Sequence, residues 1–128
     1  MDFNLNEQQR ALKETARKFA DNELKDIAIE IERNDEPPSR EILKRYADLG
    51  FLGVNLPEEY GGAGLSHFEA VLVLEEIAKV SIAVAFPIFE SSFGPALAIS
   101  SFASEELRKS ILPKVCSGDM VIAVSMSE

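Results

Sequence analysis

Three glycines fall within four positions at Gly61-Gly62-Ala63-Gly64, and the chain then enters an amphipathic run that begins Ser66-His67-Phe68-Glu69. A glycine-rich loop opening a helix is a common phosphate cradle, because free backbone N–H groups and the positive helix end both face the anion. Here the spacing fits neither G-x-x-x-x-G-K-[ST] nor G-x-G-x-x-G. No lysine closes the loop, and Glu69 carries its own negative charge to the helix end that a phosphate would need. The glycines are expected to permit a tight reversal ahead of a capped helix.

Other residues of chemical interest stand apart. His67 is the only histidine, so a Ser-His-Asp triad or a zinc site would rest on one surface side chain without spaced partners. Glu75 and Glu76 are adjacent, and neighbouring helical residues point about 100° apart, so they do not share a site as acid–base pairs do. One is expected in solvent and the other paired with a basic residue on a neighbouring helix. Glu90 lies in an apolar stretch: burial would raise its pKa, whereas the nearby Pro87 break would let it reach water. Cys116 is the only cysteine and reads as a small apolar residue in a reducing compartment.

The elements that must position these groups are helices. Apolar residues recur at three- and four-residue steps from Asn6 to about Arg33, predicting one long amphipathic helix with Asn6 and Gln9 as a capping box. Pro37-Pro38 stops it. Ser39 caps a shorter helix over 40–49 with Ile42, Leu43 and Tyr46 inward, and Gly50 ends it. Residues 51–57 are expected as an extended crossing. Ser66 and Glu69 form a second capping box, for a helix from His67 to about Val80.

The stretch 82–103 is apolar nearly all round, predicting a central, buried helix kinked at Pro87 and broken at Gly94-Pro95. Ser104 caps a last helix with Leu107, Ile111, Leu112 and Val115 inward. Residues 120–126 alternate β-branched positions after Gly118-Asp119 and read as a single strand. The expected fold is all-α: an up-and-down bundle of about five or six helices with one C-terminal strand lacking its sheet. Such a strand is expected to be disordered, to pair with another copy, or to be recruited into helix packing.

A net charge of −9 over 128 residues argues against nucleic acid, since phosphate binding needs clustered Lys and Arg. The polar, acidic start MDFNLNEQQR is unlike a signal peptide. The longest uninterrupted apolar stretch, Ile82 to Phe89, falls short of the ~20 residues a membrane span needs. A soluble, cytoplasmic domain with no membrane span is expected.

Four stretches together carry a family resemblance: "FNLNEQQRALKETARKFADNEL", "LGFLGVNLPEEYGGAGLSHFEAVLVLEEIAK", "SSFGPALAISSFASEELRKSILPKVCSGD" and "VIAVSMSE". They resemble the N-terminal part of a flavin-dependent acyl-CoA dehydrogenase, in order and over essentially the whole chain. The resemblance implies a helical domain over residues 1–119 and the start of a β-domain over 120–128. It implies FAD as cofactor, acyl-CoA as substrate, oxidation of the α,β carbon–carbon bond, and a homo-oligomeric full enzyme with further domains in cis or trans.

It places Val124, Ser125, Met126 and Ser127 against the flavin, at the start of a T-E-P-x-A-G-S-D type motif that Ser127-Glu128 begins to match. It places Ala85, Phe86 and Phe89 along the acyl pocket, although residues at that helical spacing serve core packing equally well. Phenylalanines there point to short or branched acyl groups. The family's carboxylate base belongs to a C-terminal helical domain outside these residues. Loss of a positioned base costs about 10²–10⁴-fold, so no dehydrogenase activity is expected of these residues alone. A free-standing helical module binding an acyl chain or a partner helix is the alternative, as is the same domain of an acyl-CoA oxidase or flavin monooxygenase.

Overall fold

The computed structural model describes residues 4–125 and Ser127. Seven α-helices follow in order: α1 (Glu7–Phe19), α2 (Lys25–Asn34), α3 (Arg40–Asp48), α4 (His67–Ala78), α5 (Ile82–Ser92), α6 (Pro95–Phe102) and α7 (Glu105–Cys116). They make five rods, because α1 and α2 are joined through a π-helical turn at Ala20–Leu24 and α5 and α6 are the halves of one broken run. The all-α expectation holds.

The first rod is long, as its periodicity predicts, but it is not uniform. Ala16, Phe19, Ala20, Leu24, Ala28 and Ile31 all face the core. A strict 3.6-residue period running on from Ala16 and Ala20 would bring Glu23 inward instead of Leu24. The wide turn takes up one extra residue and restores the apolar stripe to the core. Asp35, at φ 54° in the left-handed region, ends the rod ahead of the prolines.

Both capping boxes form, and they are tied to each other. Gln9 N–H donates to Asn6 Oδ1 at 2.8 Å and Asn6 N–H to Gln9 Oε1 at 3.1 Å. Ser66 N–H donates to Glu69 Oε2 at 3.0 Å, and the Gln9 side-chain amide donates to Glu69 Oε1 at 2.7 Å. The first turn of α1 is thereby locked to that of α4, which packs along it. Glu76, 2% exposed, faces Lys79 at 2.7 Å and Lys13 of α1 at 3.4 Å, while Glu75 is half-exposed beside Lys13 at 3.2 Å. The two glutamates divide in burial as expected, but both reach Lys13 of the neighbouring helix, so the expectation that only one of them pairs there does not hold.

The main core gathers Phe19, Leu24, Tyr46, Phe51, Val73, Ile77, Val84 and Ile88 from the first five helices and the segment after α3. Phe19 meets the edges of Tyr46 and Phe51, with ring centroids 5.8 and 6.0 Å away. The Tyr46 hydroxyl donates to the Val84 carbonyl at 2.7 Å, and burial pushes its pKa well up. A second cluster joins Leu56, Tyr60, Ala96, Leu112, Val115 and Cys116.

Three expectations need correction. Residues 51–57 do not cross in extended form but run in turns into a 3₁₀ turn at Glu58–Tyr60, closed by hydrogen bonds such as Leu56 N–H to Gly53 O at 3.0 Å. The run 82–102 breaks at Gly94-Pro95 but is not buried all round: Ile82, Phe86, Phe89 and Phe102 are 69%, 52%, 42% and 89% exposed. Leu107 is likewise half-exposed rather than inward. By length and composition, Ile82–Phe102 is long and apolar enough to cross a membrane, although it is interrupted midway and a third of it is buried here.

Among the described residues there is no strand. The segment expected as one follows α7 without a ladder partner, and Met120 and Ile122 pack against the second cluster. Of the three fates open to it, recruitment into helix packing is seen for Met120 and Ile122, while Val121 and Val124 stay half-exposed.

Candidate functional site

The glycine loop is built by geometry that only glycine satisfies. A Cβ on Gly62 would stand 2.2 Å from the Leu56 carbonyl oxygen, and Gly61 adopts φ 87°. The α4 N-terminus behind it is filled by its own capping carboxylate, whose pKa is lowered by hydrogen bonds from Ser66 and Gln9. His67 is exposed, its ring edge-on to Phe93 with centroids 6.3 Å apart. Burial pushes the Cys116 thiol up to about 11, which leaves it protonated and unreactive at neutral pH.

The surface that does gather chemistry lies where α5, the start of α6 and the C-terminal segment meet. An open cleft of about 480 Å³ is lined by Phe86, Phe89, Glu90, Pro95, Val124, Ser125 and Ser127. It brings together two residues that the family resemblance places along an acyl pocket and three that it places against a flavin, from stretches more than thirty positions apart. Ala85 is not among them: it is 3% exposed and packs in the main core. Met126 lies outside the described residues.

Helical spacing sets the aromatic wall. Phe86 and Phe89, three residues apart on α5, meet edge to face at 6.0 Å, and Phe89 stacks on Phe93 at 6.1 Å with a 28° interplanar angle. The far end of α5 is pinned from beneath. Ser91 Oγ donates to Ile88 O at 3.0 Å and accepts from Gly53 N–H at 3.2 Å, while the Asn55 amide donates to Ser92 O at 2.9 Å. Pro87 withholds the N–H that the Ala83 carbonyl would otherwise receive within the helix.

A clamp that the sequence reading missed holds the other wall. Gly118, at φ 73°, turns the chain, and a Cβ there would stand 2.9 Å from the Leu43 carbonyl oxygen. The amides of Asp119 and Met120 both donate to Lys114 O, at 2.9 and 3.0 Å. From α3, Arg40 donates to Asp119 O at 3.1 Å, and Lys44 donates to Ser117 O at 3.0 Å and pairs with the Asp119 carboxylate. The Lys44 bond is the largest cause of Asp119's lowered pKa. From this anchor Met120, Val121 and Ile122 close a small crevice against Pro87 and Glu90, and the following residues reach the open cleft. The only sequence signal for it is an aspartate after a glycine, which also reads as an ordinary turn.

Glu90 stands at both the crevice and the cleft. It is half-buried, and loss of solvent raises its pKa. Both halves of the sequence reading therefore apply: the side chain is partly desolvated and still reaches the open cleft. Among the described residues no cluster of His, Cys, Asp and Glu could hold a metal ion.

The family model for the acyl-CoA dehydrogenase N-terminal domain matches residues 6–119. The chain belongs to the acyl-CoA dehydrogenase family. This acyl-CoA dehydrogenase domain is 39% identical to mitochondrial isovaleryl-CoA dehydrogenase of Bos taurus, over 97% of its own length and 29% of that protein. It is 34% identical to the NADH-dependent acryloyl-CoA reductase of Anaerotignum propionicum, over 100% of its length and 32% of that protein. Among solved structures, a glutaryl-coenzyme A dehydrogenase in complex with glutaryl-CoA superposes with a TM-score of 0.87 at 32% identity, covering 94% of this chain and 31% of that one. A Mycobacterium smegmatis glutaryl-CoA dehydrogenase in complex with FADH2 gives 0.84 at 26% identity, covering 91% and 30%. The chain thus spans about a third of the length of these relatives.

Proposed function

We propose that residues 1–119 form the N-terminal wall, and residues 120–128 the first part of the middle-domain wall, of the acyl and flavin pocket in a flavin-dependent dehydrogenase. Its reaction is α,β-oxidation of an acyl-CoA thioester. The observation that carries this reading is the shared cleft: Phe86 and Phe89 from α5 face Val124, Ser125 and Ser127 across it.

The residues present fit a flavin as one wall. They supply exposed apolar surface at Phe86, Phe89 and Val124, two serine hydroxyls, and a peptide segment outside regular structure. Val124, Ser125 and Ser127 would hold the cofactor edge, joined by Met126 in the same stretch of sequence. FAD, when bound, accepts the hydride from the substrate. Phe86 and Phe89 hold the acyl chain and exclude water, with Ala85 packing behind them. The half-filled aromatic wall supports a short or branched acyl group.

Removal of the α-proton is assigned to a carboxylate from the part of the enzyme its relatives possess beyond this length. Exposed Phe68, Val71, Ile82 and Phe102 support association with further domains and with other copies in a homo-oligomer. The single buried, unpaired thiol supports placement in the reducing cytoplasm.

Co-production of this chain with the middle and C-terminal domains of a relative tests the reading. A yellow protein that keeps its flavin through gel filtration and bleaches on adding a short-chain acyl-CoA is the expected result. Complexes that form without retaining flavin overturn it.

A further inference from the structure

Resting on that reading, we propose that Glu90 makes the pocket selective for monocarboxylic acyl groups and excludes thioesters of dicarboxylic acids, whose distal end is a carboxylate. Glu90 is the only charged side chain on the described lining of the cleft; two phenylalanines, a proline, a valine and two serines make up the rest, with no lysine or arginine. Among the described residues no hydrogen-bond donor or cation meets the Glu90 carboxylate.

The carboxylate is also partly out of solvent, and its pKa is raised for that reason. Its position is fixed from below, because the neighbouring Ser91 is bonded to Gly53 and Pro87 stiffens the turn before it.

An acyl chain lying along Phe86 and Phe89 runs past this group. A neutral end meets aromatic rings and a tolerable polar neighbour. An anionic end meets a second carboxylate in a half-desolvated place with no cation between them, so one of the two must take up a proton or both must be rehydrated. Either outcome weakens binding at neutral pH, by at least about tenfold, the equivalent of one pKa unit. The glutaryl-CoA dehydrogenases that share this fold thus differ from the chain in what such a pocket would have to accept.

The test uses the flavin-loaded enzyme assembled with the middle and C-terminal domains of a relative and two probes of equal chain length, pentanoyl-CoA and glutaryl-CoA. The readout is the ratio of their kcat/KM values, which cancels general losses of activity. The wild-type ratio should favour pentanoyl-CoA by at least about tenfold. Glu90→Gln should move the ratio toward glutaryl-CoA by about that factor, Glu90→Arg further, and Glu90→Asp should leave the preference in place. Equal use of both thioesters by the wild type, or a ratio unmoved in Glu90→Gln, overturns the proposal while leaving the dehydrogenase reading intact. An assembly that never holds flavin or bleaches with pentanoyl-CoA sinks both.

Discussion

Replacing Gly62 by alanine should damage the fold far more than replacing Gly50, although Gly50 has the less ordinary backbone. At Gly50, φ is +71° and nothing lies within 4 Å of an added Cβ, so the cost is that of a left-handed L-residue, about 1 kcal/mol. At Gly62 the backbone is permissive but the space is not. The new Cβ would stand 2.2 Å from Leu56 O, 2.6 Å from its carbonyl carbon and 2.7 Å from its Cβ.

Leu56 cannot step aside: it is fully buried, its N–H donates to Gly53 O, and its carbonyl accepts from Gly64 N–H at 2.9 Å. Relief means breaking that carbonyl's hydrogen bond, at about 1 kcal/mol, and displacing packed backbone, at about 1–3 kcal/mol. The sum, about 2–4 kcal/mol, is a large part of a small domain's stability. Urea melts of the wild type, Gly62→Ala and Gly50→Ala should show a midpoint for Gly62→Ala well below that of Gly50→Ala with similar slopes. Should Gly62→Ala equal or exceed Gly50→Ala in stability, the account of the loop as a steric reversal is wrong.

Deleting Asn22 from the π turn should cost less than about 1 kcal/mol, because closing the turn to α geometry keeps Leu24, Ala28 and Ile31 on the core side. Deleting Glu75 from the regular α4 should instead turn the fully buried Ile77 by about 100° and cost at least about 2 kcal/mol, as thermal melts would show. Stability should also fall as pH rises from about 9 to about 11. In that window the unfolded Cys116 thiol ionises while the folded one, held up to about 11 by burial, does not, so the unfolded state binds fewer protons and gains. Cys116→Ala should flatten that decline in urea melts across the window, leaving the part due to tyrosine and lysine ionisation.

Local chemistry was the most legible part of the sequence. Asn6 with Gln9 and Ser66 with Glu69 each specify a helix start through side chains three residues apart, and both boxes form. What could not be read depends on partners far along the chain. The turns of residues 51–57 rest on bonds such as Leu65 N–H to Val54 O and Ala63 N–H to Gly53 O. The bond from Gln9 to Glu69 spans sixty positions.

Burial of the 82–102 run was overstated because composition cannot separate a phenylalanine in the core from one facing a cleft: Ile88 is fully buried and Phe86, two residues away, half-exposed. The cleft itself was half legible. The family resemblance points to five of its residues, Phe86 and Phe89 in one stretch and Val124, Ser125 and Ser127 in another, but the Arg40, Lys44 and Asp119 clamp that brings the stretches together has no local pattern.

That clamp also gives the polypeptide a fixed bearing as it leaves the bundle. Because two successive amides share the Lys114 oxygen and two cations of α3 grip the Asp119 carbonyl and carboxylate, the segment that follows Met120 starts from one rim, on one heading. A dye placed at Ser125 would therefore sit at a narrow range of distances from a second dye on α3, and cutting the grip with Asp119→Ala would broaden that range before it unfolded a single helix.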